Sequence, residues 1–151
     1  MENSLVSITE ADISNAPAIY ELSLYYTGST RGWAKEGIEN ALTSKGYYVI
    51  VAKREEFIIG YAIAQLAWGK MHLLDIAVKE DMRRQGIGTE MLKYLINQAK
   101  VWGLPEVYLE ARATNTPAVR LYSRLSFKTR FILPKFYNGE DVLAMYLPLN
   151  G

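Results

Sequence analysis

The sequence predicts a mixed α/β fold built on one central, mostly antiparallel sheet of about seven strands flanked by about four helices. Three observations predict it. Three strand-like runs follow one another between residues 47 and 79, joined by turns too short for anything but antiparallel neighbours. The clearest amphipathic helix of the chain comes next, at 88–102, and leads into another strand at 106–112. A strand, helix and strand of this length make a right-handed crossover, so the strands at 71–79 and 106–112 are expected to run parallel.

The elements follow in order. Residues 5–8 read as a short strand, and Thr9 with Asp12 resembles a helix start leading into Ile13, Ala16, Ile19, Tyr20 and Leu24 at helical spacing. Thr27, Gly28, Ser29, Thr30 and Gly32 mark a loop, and a weaker helix is expected over 34–43, stopped near Gly46. The meander strands are 47–53, 57–67 and 71–79, with turns at Arg54-Glu55-Glu56 and Trp68-Gly69-Lys70. In 88–102, Leu92, Leu95, Ile96 and Ala99 share a face opposite Glu90, Lys93, Asn97 and Lys100, and Gly103 and Pro105 end the helix. Val107, Leu109 and Ala111 alternate with Tyr108, Glu110 and Arg112. A last helix opens at Asn115 with Pro117 in its first turn and Ala118, Leu121, Tyr122 and Leu125 on one face. Strands at 127–133 and 142–147 close the chain around an Asn138-Gly139 turn.

The chain has 151 residues, 50% hydrophobic and 22% charged, with no internal repeat or linker, so residues 1–151 are expected to form one domain. No cysteine and one histidine exclude cysteine nucleophiles, thiolate zinc sites and multi-histidine metal centres, and no metal is expected. The chemistry falls mostly to oxygen groups. A net charge of +1 gives no polyanion signature, so no nucleic-acid partner is expected. No run approaches the roughly 18 apolar residues of a membrane span, and no apolar signal core is present, which predicts a soluble, cytoplasmic protein with no membrane partner. The sequence does not choose between a monomer and a homodimer. Eleven tyrosines against four phenylalanines supply hydrogen-bonding tips on aromatic bodies, most of them expected in the core or at its rim.

The stretch Arg83-Arg84-Gln85-Gly86-Ile87-Gly88-Thr89 stands between a buried strand and the N-terminus of the strongest helix. Glycines there turn backbone N–H groups outward, the helix dipole adds positive charge, and Arg83 and Arg84 add charged donors, so the loop suits a phosphate. An ordinary strand-to-helix turn with a solvated basic pair is the alternative. A nucleoside-triphosphate loop needs a lysine after its last glycine, which is absent here. A dinucleotide fingerprint needs a third glycine or alanine where Met91 stands, and a parallel sheet around it. The remaining ligand reading, a coenzyme A pyrophosphate, rests on a family resemblance.

Here the sequence resembles the GCN5-related N-acetyltransferases. Their signature [QR]-x-x-G-x-[GA] is matched by Arg83-Arg84-Gln85-Gly86-Ile87-Gly88 at every specified position. Asp75-Ile76-Ala77-Val78, Leu109-Glu110-Ala111-Arg112-Ala113-Thr114-Asn115, Leu121-Tyr122-Ser123-Arg124-Leu125-Ser126-Phe127, and Tyr137-Asn138-Gly139-Glu140-Asp141 before Met145 are similar to the protein N-terminal acetyltransferases, in particular the ribosomal-protein alanine acetyltransferases. Trp33 matches a tryptophan that the bacterial enzymes carry before the second helix. Two positions depart: Ser126 replaces a usual glycine, and residues 25–32 match the loop of no single substrate class.

The resemblance implies acetyl-CoA as cofactor, held by Arg83, Arg84, Gln85, Gly86, Ile87, Gly88 and Thr89 at its pyrophosphate. It also implies that backbone groups of Ile76, Ala77 and Val78 pair with the pantetheine amides, with further contacts from Asn115 and Tyr122. The acetyl group then goes to the N-terminal α-amine of a protein, such as a ribosomal protein, by direct attack. Such a transfer needs a neutral amine and a proton for the departing thiolate. Glu110 is the candidate base, against a surface glutamate paired with Arg112 or a lysine. Tyr122 is the implied acid, against a core tyrosine, and Asn115 both caps its helix and meets the cofactor. Trp33, Phe136 and Tyr137 are implied walls of the amine groove. His72 reads as structural, and Arg112, Arg120, Arg124, Lys128, Arg130 and Lys135 as a solvated basic face. Two alternatives stay open: a small-amine acetyltransferase acting on a polyamine, amino acid or aminoglycoside, and a non-catalytic acyl-CoA-binding module.

Overall fold

The computed structural model describes residues 5–25, 33–83 and 85–149. It holds seven strands: β1 (Val6–Glu10), β2 (Tyr47–Arg54), β3 (Phe57–Ala67), β4 (Lys70–Val78), β5 (Glu106–Arg112), β6 (Lys128–Tyr137) and β7 (Glu140–Pro148). Four α-helices accompany them: α1 (Ala16–Tyr25), α2 (Lys35–Thr43), α3 (Ile87–Val101) and α4 (Thr116–Arg124). The strands form one sheet in the order β1-β2-β3-β4-β5-β7-β6. Every neighbouring pair is antiparallel except β4 and β5, which are parallel across the α3 crossover.

Strand alternation sends apolar side chains to both faces of the sheet. Ile50, Ala52, Ala62, Met71, Leu73, Ile76, Leu109 and Ala111 join Met91, Leu92 and Leu95 of α3 and Tyr122 of α4 in one core cluster. Val49, Val51, Tyr61, Ile63 and Ala77 join Ile19 of α1 and Ile38 of α2 on the other face. The middle of β2 and β3 is therefore buried on both sides, as a central strand covered by two helix layers must be. Each fully buried leucine or isoleucine contributes about 2 kcal/mol by leaving water.

Element ends differ from the sequence expectation where a neighbour overrides a local signal. Thr9 lies within β1 opposite Val51, so the first helix opens three residues later. Asp12 accepts from Ser14 N at 2.9 Å while Asn15 Oδ1 receives the Asp12 N–H at 2.9 Å, a capping box around a 3₁₀ turn that runs into α1. β6 continues past 133 to Tyr137 in spite of Pro134 because it is the sheet's edge, where a missing N–H costs no ladder bond, and its register with β7 breaks between Leu133 and Tyr137. The expected Asn138-Gly139 turn forms with both residues at positive φ, 49° and 77°. The loop expected over 27–32 lies outside the described residues.

Candidate active site

The parallel pair β4 and β5 holds together at one end only. Met71 pairs with Val107 and His72 with Tyr108, and no further register follows along either strand. Leu74 contributes a bulge to β4, since Ile63 faces Asp75 while the next residue, Ala64, faces Leu73. A bulge bends and twists its strand, and from here β4 stays with β3 and departs from β5. The gap holds a small cavity of about 30 Å³ lined by Leu73, Leu74, Asp75, Ile76, Leu109, Glu110 and Tyr122, among others.

On the α3/α4 side the gap opens into a groove of about 840 Å³. Its walls are the β4 end at Ile76, Ala77 and Val78, the α3 start at Gly86, Ile87, Gly88 and Thr89, and Asn115, Leu121 and Tyr122 on the α4 side. Glu90 N is the first α3 donor to find a helical acceptor, Gly86 O at 3.0 Å, so the N–H groups of Ile87, Gly88 and Thr89 have no partner within the helix. Gly86 caps α3 at φ 79° and ψ 9°, a left-handed conformation that favours glycine, and a Cβ built there meets nothing within 4 Å. At Gly88 a Cβ would sit in ordinary contact, 3.7 Å from Leu121 and 3.9 Å from Val78, which explains why the signature admits alanine there. Arg83 lines the groove and donates from Nε to Val78 O at 3.0 Å. An open cradle of N–H groups without a partner inside the helix, a positive helix end and an arginine suit a pyrophosphate, and the unpaired edge of β4 suits an extended amide chain.

Ile76, Asn115, Ala118 and Tyr122 line both the groove and the cavity and so mark the passage between them. Asn115 caps α4 by accepting from Ala118 N at 3.4 Å. Tyr122 is 7% exposed, with its ring 5.8 Å from Phe127. Leu109 and Ala111 point to the α3/α4 core, so Glu110 between them points to the opposite face. There His72 Nε2 donates to Glu110 Oε1 at 2.7 Å, and the imidazole stacks on Tyr108 at 4.2 Å. Burial first, then the Glu110 and Glu106 charges, push the Tyr108 phenol up, which keeps it neutral beside this pair.

Several expected roles land elsewhere. Glu110 pairs with His72 instead of Arg112 or a lysine, and the histidine read as structural stands against the candidate base. Both lie on facing stretches of the parallel pair 38 residues apart, a proximity that appears only once the β4/β5 register is known. The Gln85 side chain accepts from Arg54 Nη2 at 3.0 Å and turns away from the groove, which leaves only its backbone for a ligand. Phe136 is 68% exposed and lines no described cavity, because edge strand β6 holds it on the outside. Trp33 lines neither cavity, and its indole Nε1 donates to buried Asp75 Oδ2 at 3.1 Å. Tyr137 lies under the Arg112 guanidinium, 5.7 Å from its ring centroid. Arg130 is no free surface charge, since it forks onto Glu106 at 2.8 and 3.0 Å. Arg84 lies outside the described residues. Among the described residues no cluster of three metal-ligating side chains exists, and no helix is long and apolar enough to cross a membrane.

A helix N-terminus open to phosphate thus lies beside a parted strand pair, with Glu110 and Tyr122 lining the gap between the strands. Residues 8–127 match the Acetyltransferase (GNAT) family, and the chain belongs to it. It resembles an N-alpha-acetyltransferase of Sulfurisphaera tokodaii, 38% identical over 113 residues that cover 66% of this chain and 68% of the relative. The [ribosomal protein bS18]-alanine N-acetyltransferase of Escherichia coli is 35% identical over 94 residues, 60% of this chain and 64% of that enzyme. The crystal structure of the ribosomal-protein-S18-alanine N-acetyltransferase from Escherichia coli superposes with a TM-score of 0.88 at 26% identity, covering 97% of this chain and 96% of that one. The protein is an N-acetyltransferase, and its cosubstrate is acetyl-CoA.

Proposed function

We propose that the enzyme acetylates the N-terminal α-amine of a protein or peptide. The observation that carries this reading is the His72–Glu110 pair on the face of the gap opposite Tyr122. Acetyl-CoA supplies an activated carbonyl that an amine attacks without help from an enzyme nucleophile, in keeping with a chain that has no cysteine. The acceptor approaches from the Glu110 face, because the cofactor groove occupies the other. His72 holds Glu110 through Oε1, which leaves Oε2 to take the proton of the acceptor ammonium. Tyr122, which lines both groove and gap, is the group that gives a proton to the departing sulfur in this reading. Backbone groups at Ile76–Val78, Asn115 and the 83–89 loop hold the cosubstrate.

A carboxylate–imidazole pair suits an α-amine better than a lysine. The α-amino group titrates near 7.7–8.0 and lysine near 10.4, so the neutral α-amine costs about 3.5 kcal/mol less to reach. The names of the relatives point the same way. Incubation with acetyl-CoA and a panel of N-terminal peptides, read by mass spectrometry, tests the reading. Product above the no-enzyme background supports it, and acetylation confined to polyamines, amino acids or aminoglycosides replaces it with the small-amine alternative.

A further inference from the structure

Asp75 sits in the run Leu73-Leu74-Asp75-Ile76-Ala77-Val78, where its neighbours are apolar, and it is 5% exposed. A buried carboxylate must be hydrogen-bonded, and Asp75 Oδ2 takes two donors: Tyr61 Oη at 2.6 Å and Trp33 Nε1 at 3.1 Å. Tyr61 is fully buried on neighbouring β3, which anchors the carboxylate from below. Trp33 precedes α2 and packs over Gly37, where a Cβ would lie 3.5 Å from the indole. All three residues belong to the α1/α2 side of the sheet, the side that also carries Glu110 and His72. Asp75 and Glu110 line the same small cavity.

We propose that Asp75 is a positioning residue for the acceptor: it fixes the Trp33 indole beside the gap, and the indole walls the place of the acceptor's first residue. Trp33 then reaches the acceptor side of the gap through its bond to Asp75, although it lines neither cavity itself. The inference rests on the acceptor entering from the Glu110 face, as in the reading above. It concerns amine binding only, since the pyrophosphate cradle lies at the start of α3, on the other side of the sheet.

The test compares Asp75→Asn, Trp33→Phe and their double variant by steady-state kinetics, with acetyl-CoA affinity measured by calorimetry. Each single change raises the acceptor KM about five- to thirty-fold while kcat and the acetyl-CoA Kd move about two-fold or less. The double variant is about as impaired as the worse single one, because both remove the same bond. Trp33→Phe keeps an aromatic ring over Gly37, so it remains informative if Asp75→Asn lowers the thermal midpoint. Acceptor KM unchanged in both singles, effects that multiply in the double, or an acetyl-CoA Kd that weakens in step with KM each overturn the proposal. A wild-type enzyme that acetylates small amines and no peptide fails the earlier reading alone, and the same comparison is then made with that amine. With Trp68 and Trp102 replaced by Phe, the acceptor also changes Trp33 emission, a change that Asp75→Asn abolishes; equal responses with and without the carboxylate count against the proposal whatever the turnover.

Discussion

Glu106 and Glu110 lie four residues apart on the same face of β5, and they serve opposite ends of one strand pair. At the closed end, Glu106 of β5 takes a two-pronged bond from Arg130 of β6, lies 3.5 Å from Lys70 of β4, and Arg130 stacks 3.9 Å over Tyr146 of β7. One carboxylate ties three strands there and its arginine partner brings in the fourth, next to the only two register pairs between β4 and β5 among the described residues. At the open end, Glu110 has a single imidazole partner and faces a cavity. One residue type thus closes the sheet where cations surround it and is the proposed base where the strands part. The open end depends on the closed end, because two strands can diverge usefully only from a fixed point.

The largest effect comes from disabling the open end. Glu110→Gln keeps shape but cannot accept a proton, and kcat should fall by about 10²–10³-fold, with a smaller loss of about ten-fold or more for Tyr122→Phe. Calorimetry should find acetyl-CoA binding nearly intact in both, because neither side chain holds the pyrophosphate. Normal turnover in both variants removes these residues from their roles.

Next comes Gly86→Asp, which should weaken acetyl-CoA binding by about ten-fold or more. A side chain would enter a left-handed position and bring negative charge to a phosphate cradle. Unchanged affinity would show that the pyrophosphate is held elsewhere.

The closed end is probed by pH. The Arg130 guanidinium, foremost through its hydrogen bonds, holds the Glu106 carboxyl below the usual range, with Lys70 adding to the pull. A depressed carboxylate contributes stability that is fully present above its unfolded value and is lost as pH falls through the folded one. Wild-type denaturant midpoints should therefore decline on the acid side, and Glu106→Gln should be less stable at neutral pH with a flatter acid limb. A variant that parallels the wild type at every pH would deny the clamp its role.

The smallest effect concerns neither end directly. Ser126 ends α4 at φ 75°, with Phe127 N bonded to Tyr122 O and Ser126 N to Ser123 O, both at 3.0 Å, a Schellman arrangement that ordinarily holds glycine. Ser126→Gly should raise stability by about 0.5–1 kcal/mol, or about 1–4 °C in Tm, with kcat unchanged. A lower Tm would mean that the serine hydroxyl contributes more than its backbone strain costs.

Much of the frame was legible in the chain itself. The glycine loop, the α3 stripe of Leu92, Leu95 and Ala99, the Asn115 cap and the Asn138-Gly139 turn are local signals, each written within a few residues. Glu110 and Tyr122 stood out through resemblance, and the structure brings both to one cavity. Less legible were Gln85 and Phe136, whose side chains answer to Arg54 and to an exposed edge strand. Asp75 left one trace, a lone charge in an apolar run, without naming its partners.

The sequence by itself determined the element types, the α3 crossover that makes β4 and β5 parallel, and the open phosphate cradle, because periodicity, capping and glycine conformation act over a few residues. Only the tertiary structure decided that His72 meets Glu110, that Trp33 and Tyr61 share Asp75, and that Glu106 closes one end of the gap. Those contacts join residues 14 to 42 positions apart. Strand register and the Leu74 bulge set them, and packing of helices on both faces sets the register.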